Sequence, residues 1–524
     1  MKKWSFCCLL AGLAATGLFP NPARADGVDT VWVRRYAQPG YCNDEATAMV
    51  VDPQGNVYVT GSSQRYESGP KDFATVKYSA AGVKQWAARY EGPGNSVPSA
   101  IAVDGSGNVY VTGAGESTGT SWDFLTVKYN SAGAYQWHDR YNGPASGEDR
   151  ANSICTDPSG VAVCGWVAGG ATSNDWTIVG YTTAGGRRFI TPRTSAGGNP
   201  DEANCIVSDP SGNYYVAGRL WYPDHVDDAV VAKYSPTGAE QWAVPYHGPL
   251  SGDGALAICR SSASGDLYAT GWSVGPNDNT DILMMKVTAA GSLSWTARYA
   301  SPENTNDLGM RIAVDATGNP RVLGRVQVGP GGDYDLVTLG YRSDSAVQFI
   351  NRLGTGGYCA PGGIAVGPGG EVFSCGSLNS DWVTLRYDGG AEVWRRFENW
   401  GSGDAATAIG LDDSGYVYVT GRGDFGANAW DFVTIKYNPN AGIAEERWTP
   451  VAGSATPTAT VVRGVLNLTS PFSVLTSDFV LLDASGREVL SLTPGVNDIS
   501  SLAPGVYFVQ RARSGKAGRV LVTR

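Results

Sequence analysis

Histidine is nearly absent from this chain. There are three in 524 residues, His138, His225 and His247. No H-E-x-x-H and no C-x-x-C occurs, so neither a zincin site nor a zinc finger is indicated. A Ser-His-Asp triad would have to recruit one of those three imidazoles, and no catalytic residue is assigned. Basic side chains are also short, 39 against 49 acidic, for a net charge of −10. A surface of that sign argues against nucleic-acid partners, whose phosphates are met by Lys and Arg. Beyond residue 25 there is no apolar run long enough to span a bilayer, so no transmembrane segment is expected in the mature chain.

What is plentiful is glycine, 70 residues, and short β-prone runs between turns. The stretch 98–141 gives the unit. Ala100–Asp104 is one strand, Asn108–Gly113 a second, Asp123–Tyr129 a third and Gln136–Tyr141 a fourth, with glycine turns between them. Three markers repeat in phase. Fourth-strand aromatics recur at Trp32, Trp86, Trp137, Phe189, Trp242, Trp295, Phe349, Trp394 and Trp448. Third-strand acids recur at Asp72, Asp123, Asp175, Asp228, Asp281, Asp335, Asp381 and Asp431. Second strands close on Gly61, Gly113, Gly165, Gly218, Gly271, Gly324, Gly376 and Gly421. Both faces of such a unit are apolar, so stacking into a closed ring is expected: an all-β, eight-bladed β-propeller of four-stranded antiparallel blades over residues 26–450. The repeated acids read as scaffold that caps the turn into the third strand. Trp32-Val33-Arg34-Arg35-Tyr36 matches the fourth-strand pattern but precedes the first unit, which predicts that residues 31–36 complete the last blade. The competing reading gives that place to residues 446–450.

The flanks differ in character. Residues 1–25 read as a signal peptide, with Lys2 and Lys3, an apolar stretch Phe6–Phe19 and an Ala23-Arg24-Ala25 cleavage site. Residues 451–460 form a small, polar linker, and residues 461–524 read as a small C-terminal β-sandwich. Residues 461–524 carry seven basic and four acidic side chains. With the leader's three basic residues set aside, the ring and linker hold −16. Seven cysteines remain after cleavage, an odd number. Cys155–Cys164 and Cys359–Cys375 are the two pairs placed as disulfide candidates on hairpins. The competing reading is that Cys155, Cys205 and Cys259 fill small inner-strand positions.

The signature AIAVD-x-x-GNVYVTG, then DF-x-TVKY, then W-x-x-RY, seen at Ala100–Gly113, Asp123–Tyr129, Ala406–Gly421 and Asp431–Tyr437, resembles the bacterial SBBP β-propeller repeat family. The resemblance implies an exported repeat protein and brings no catalytic residue. Residues 480–487 (VLLDASGR), 502–509 (LAPGVYFV) and 518–524 (GRVLVTR) resemble the type IX secretion system (T9SS) sorting domain. That resemblance implies the type IX secretion machinery as a partner through residues 461–524. It also implies outer-membrane translocation and a secreted or cell-surface location in a Gram-negative bacterium, reached through the periplasm.

Where repeats disagree, function is expected. The loops joining fourth to first and second to third strands share one face, which carries Asp44, Asp149, Asp201, Asp253, Asp307 and Asp404. The most individual loop is Leu220–Asp228, whose Trp221, Tyr222, Asp224 and His225 suit a carbohydrate platform or weak metal site. Arg422-Gly423-Asp424 spells an adhesion tripeptide by chance. No cofactor is expected; calcium would suit the acidic charge but has no motif. The expected function is a non-catalytic binding module for an extracellular carbohydrate or protein. The alternatives are a propeller enzyme acting on extracellular polysaccharide, whose paired carboxylates would leave no sequence signature, and a structural cell-surface component.

Overall fold

The computed structural model describes residues 28–38, 42–117, 121–169, 173–195, 199–223, 226–250, 252–329, 332–354, 357–426 and 429–440, and seven strand segments between 458 and 522. The leader lies outside these residues. The chain separates into two units, Met1–Pro439 and Asn440–Arg524.

The first unit is an eight-bladed propeller. Seven four-stranded sheets follow chain order: residues 44–90, 96–141, 150–193, 202–246, 254–299, 307–353 and 359–398. In the second blade the strands are Ser96–Val103, Val109–Glu116, Trp122–Tyr129 and Tyr135–Tyr141. These match the sequence reading to within a few residues. The eighth sheet joins Ala405–Leu411, Val417–Asp424 and Trp430–Asn438 to Asp29–Tyr36. Trp32 sits opposite Lys436 and Tyr36 opposite Phe432. The N-terminal strand therefore closes the ring, as its pattern predicts.

The repeated residues each have a mechanical cause. In every blade the first strand carries an irregularity against the second, for example between Pro98 and Ala100. The bulge turns a carbonyl toward the second strand, and the invariant glycine faces it. A Cβ on Gly61, Gly113, Gly165 or Gly421 would fall on the carbonyl oxygen of Glu45, Val97, Arg150 or Ala405. Fourth-strand aromatics latch neighbouring blades. Trp86 lies against Gly133, in the turn of the next blade at φ +80°, and its Nε1 donates to Ser131 O at 3.1 Å. Trp137 does the same to Thr183 O, Trp295 to Ser343 O and Trp394 to Pro439 O. Trp32 reaches from the eighth blade to Ala80 O of the first, at 3.1 Å.

The third-strand acids differ from the expected turn caps. Four of them pair with an arginine of their own blade's fourth strand: Arg89–Asp72, Arg298–Asp281, Arg352–Asp335 and Arg35–Asp431. True turn caps are found instead between first and second strands. Asp104 Oδ1 accepts the Ser106 and Asn108 N–H groups, and its Oδ2 accepts Asn108 Nδ2 and the Tyr110 hydroxyl.

In the second unit, Thr458–Val462, Val465–Thr469 and Gly495–Asp498 form one sheet. Phe479–Leu482, Glu488–Leu492, Gly505–Arg511 and Ala517–Val522 form another. Its first strand begins inside the segment read as linker. The competing closure segment, 446–450, lies outside the described residues.

Candidate functional site

The acidic loop face does not survive as a set of free carboxylates. Asp44, Asp149, Asp201, Asp253, Asp307 and Asp404 are all buried. Each folds back to hold the loop that enters its blade. Asp149 accepts Gly143 N at 2.6 Å and Ala168 N at 2.8 Å; Asp201 accepts Ser195 N and Trp221 N; Asp253 accepts Gly248 N and Val274 N. Asp44 accepts Gln38 N, Asp307 accepts Ser301 N, and Asp404 accepts Trp400 N and Asp424 N. Burial pushes Asp44 and Asp307 up to about 6, against the pull of those hydrogen bonds. Spacing shows these acids at loop ends; it does not show them turned inward.

The Leu220–Asp228 segment is mostly strand. Trp221 and Tyr222 extend Tyr214–Tyr222 and face Asp227 and Val226 across a hairpin. Adjacent strand residues point to opposite faces, so the two rings do not share one platform. Tyr222 packs on the core of its blade and stands edge-on to His247 at 5.8 Å. Asp224 and His225 lie outside the described residues. His247 Nδ1 shares a 2.6 Å hydrogen bond with Asp228, the acid that pairs with arginine in other blades. His138 meets the Tyr135 hydroxyl at 2.7 Å and the Tyr90 ring; burial, then Arg140, lower its pKa, which keeps it neutral at pH 7. Gly115-Glu116-Ser117-Thr118-Gly119 has the spacing of a nucleophile elbow. Glu116 ends one strand and Trp122 begins the next, where that motif would require a helix, and Thr118 and Gly119 lie outside the described residues.

The two cysteine pairs are not joined. All seven cysteines are free thiols. Cys155 stands opposite Ala162, and Cys164 opposite Ser153. Cys359 stands opposite Leu378, and Cys375 opposite Gly363, three register steps away. Burial raises Cys155, Cys359 and Cys375 to about 12, which makes them inert fillers. No cluster of three metal-ligating side chains occurs among the described residues.

One surface breaks the repeat. The residue whose N–H caps the buried loop acid is Gln38, Gly143, Ser195, Gly248 or Ser301 in other blades, and Trp400 in the eighth. Trp400 stacks edge-on upon buried Trp382 at 5.3 Å and lies 5.8 Å from Phe425, which is 37% exposed. The Arg35 guanidinium covers Phe425 at 4.2 Å. Beside them Arg422 stacks on Trp430 at 4.1 Å and pairs with Glu45 at 2.6 Å. Asp424 is tied to Ser402 and Gly426, so the Arg-Gly-Asp tripeptide is committed to loop structure. Sequence reasoning missed this patch because its residues come from four separate segments. The only available signal was a tryptophan in a loop position that is small or polar elsewhere.

A family model described as SBBP, beta-propeller repeat, matches residues 31–65 and 85–118. Each match starts on a fourth strand and runs into the next blade, which is the offset that ring closure requires. No curated protein matches the sequence. Among solved structures, Sqt1 from Chaetomium thermophilum aligns at 10% identity over 78% of this chain and 98% of that one, with a TM-score of 0.47. A protein of unknown function from Dyadobacter fermentans aligns at 9% identity over 79% and 99%, TM-score 0.40. The Pan2 WD40 domain from Neurospora crassa aligns at 8% over 78% and 94%, TM-score 0.39.

Proposed function

We propose that this chain is a non-catalytic binding module, exported and displayed at or released from the cell surface. Its ligand, an extracellular carbohydrate or protein, docks on the Arg35, Trp400, Phe425, Arg422 and Trp430 patch of the closing blade. One observation carries the reading. Trp400 stands in a surface loop at a position where other blades keep small or polar residues, and Phe425, Arg35, Arg422 and Trp430 gather beside it. Aromatic rings and arginines dominate binding energy at interfaces, because they offer large contact area at low entropic cost.

The test is a glycan array and surface-protein capture with the full chain, beside Trp400→Ala and Phe425→Ala. Each substitution is expected to weaken binding about tenfold or more, with the melting temperature checked to separate binding from folding. Unchanged binding in both variants, or a shortened polysaccharide product, would overturn the proposal.

The export half rests on the leader 1–25 and on the sorting-like residues 461–524, which would engage the type IX machinery and fold as a small sandwich. Removing residues 461–524 should strand the chain in the periplasm. Surface appearance of that truncated chain, measured by fractionation, contradicts it.

A further inference from the structure

The first strands of neighbouring blades touch one another in an unbroken cycle and line the centre of the ring. Just past the bulge, one register position per blade repeats around that wall. Its occupants are Ala48, Ala100, Ser153, Cys205, Ala257, Arg311, Gly363 and Ala408. Seven are small and uncharged; the eighth is an arginine. Over the equivalent segments 47–50, 99–102, 152–155, 204–207, 256–259, 310–313, 362–365 and 407–410, Arg311 is the only charged side chain. Arg260 lies one step further along, against Gly265 and Tyr215.

Arg311 is solvent-exposed and yet deep in the molecule, so its solvent is that of the central channel. Its Nε donates to Gly362 O at 2.9 Å, and its Nη1 to Met310 O at 3.0 Å. Both acceptors are neutral carbonyls. Among the described residues, the ionisable groups beside it are the thiols of Cys205 and Cys375, and burial raises the Cys375 thiol. Gly362 and Gly363 put no side chain between the guanidinium and the seventh blade's backbone. A guanidinium held by two neutral carbonyls in a wall of small uncharged residues presents its charge to the channel, where a small anion complements it. Elsewhere in the ring Arg89, Arg298 and Arg352 pair with Asp72, Asp281 and Asp335.

We propose that Arg311 makes the central channel an anion site, which takes a small oxyanion such as a carboxylate, phosphate or sulfate on the donors that the two carbonyls leave unused. The site is independent of the loop patch, and either proposal can fail alone.

Thermal unfolding of the full chain tests it, with inorganic phosphate and with succinate titrated at constant ionic strength against sodium chloride. A saturable rise in melting temperature is expected with at least one of the two, and the one that acts identifies the preferred oxyanion. Arg311→Ala carries the residue that four other blades already have at this position. It is expected to fold and to bind at least about tenfold more weakly, while Trp400→Ala leaves the anion effect intact. The absence of any saturable rise, or an equal rise in Arg311→Ala, overturns the proposal. Crystals of the unmodified protein soaked in selenate give a check that needs no variant. An anomalous peak beside the guanidinium supports the site, and an empty channel refutes it.

Discussion

At the scale of single residues, carboxylates divide into three structural trades. Asp104 and its equivalents tie turns, Asp72 and its equivalents pair with arginine, and Asp307 and its equivalents hold loops from the inside. In the last kind burial outweighs the hydrogen bonds, as at Asp44 and Asp307. A carboxyl whose folded pKa lies above its unfolded value, about 3.9, favours the folded state while protonated. For Asp307, raised to about 6, that stability is complete below pH ~4 and is lost as pH rises through about 6. Urea unfolding of the unmodified chain and of Asp307→Asn between pH 4 and 7 should show the unmodified chain losing on the order of 1 kcal/mol relative to the variant. A difference that does not vary with pH would rule this out. The sequence showed all three kinds of aspartate by period alone. It could not tell an inward carboxylate from an outward one, because strand spacing fixes position along the chain and not the direction in which a loop folds back.

At the scale of the element, the unit of construction is the latch between blades. Gly133 shows how tight it is. A Cβ there would stand 2.5 Å from the Trp86 ring, on a backbone at φ +80°. Gly133→Ala is expected to cost about 1–3 kcal/mol through strain and overpacking. Gly105→Ala, in the first turn of the same blade, meets nothing within 4 Å and should leave the midpoint of denaturant unfolding unchanged. Equal effects of the two would mean that the latch contributes nothing. Elements were the most legible level. Alternation in Asn108–Gly113 and the turn glycines placed every strand of the second blade, because a buried strand must alternate and a tight turn must admit φ > 0. The Leu220–Asp228 segment was misread as a loop, since a hairpin that runs past its blade carries the same polar residues as a loop does.

At the scale of the whole molecule, the ring holds because Asp29–Tyr36 supplies the outer strand of the last blade. Arg35 then answers Asp431, and Trp32 latches onto the first blade. Without residues 29–36, the strand Trp430–Asn438 would present a bare edge, which recruits other chains. Such a truncated chain should unfold at a lower temperature and elute partly as oligomers in size-exclusion chromatography. A monomer as stable as the intact chain would show that closure is dispensable. Closure was readable because one stray copy of W-x-x-R-Y stood before the first unit. The closing blade's aromatic patch and Arg311 were not, because each is a departure from the repeat whose meaning depends on what lies across a gap.

The order in which the chain is made follows from the same strand. Asp29–Tyr36 leaves the ribosome before the strands of the other blades and is among the last to find its sheet, since its partner Trp430–Asn438 is translated after every other blade strand. The entropy of closing so long a loop grows only logarithmically with its length, so the finished ring loses little stability by it. What it imposes is a wait. Until the final blade exists, seven blades form an open arc with an unclaimed strand at its head. Closure thus acts as a completeness check, in which only a chain translated through its last blade can pair Asp29–Tyr36.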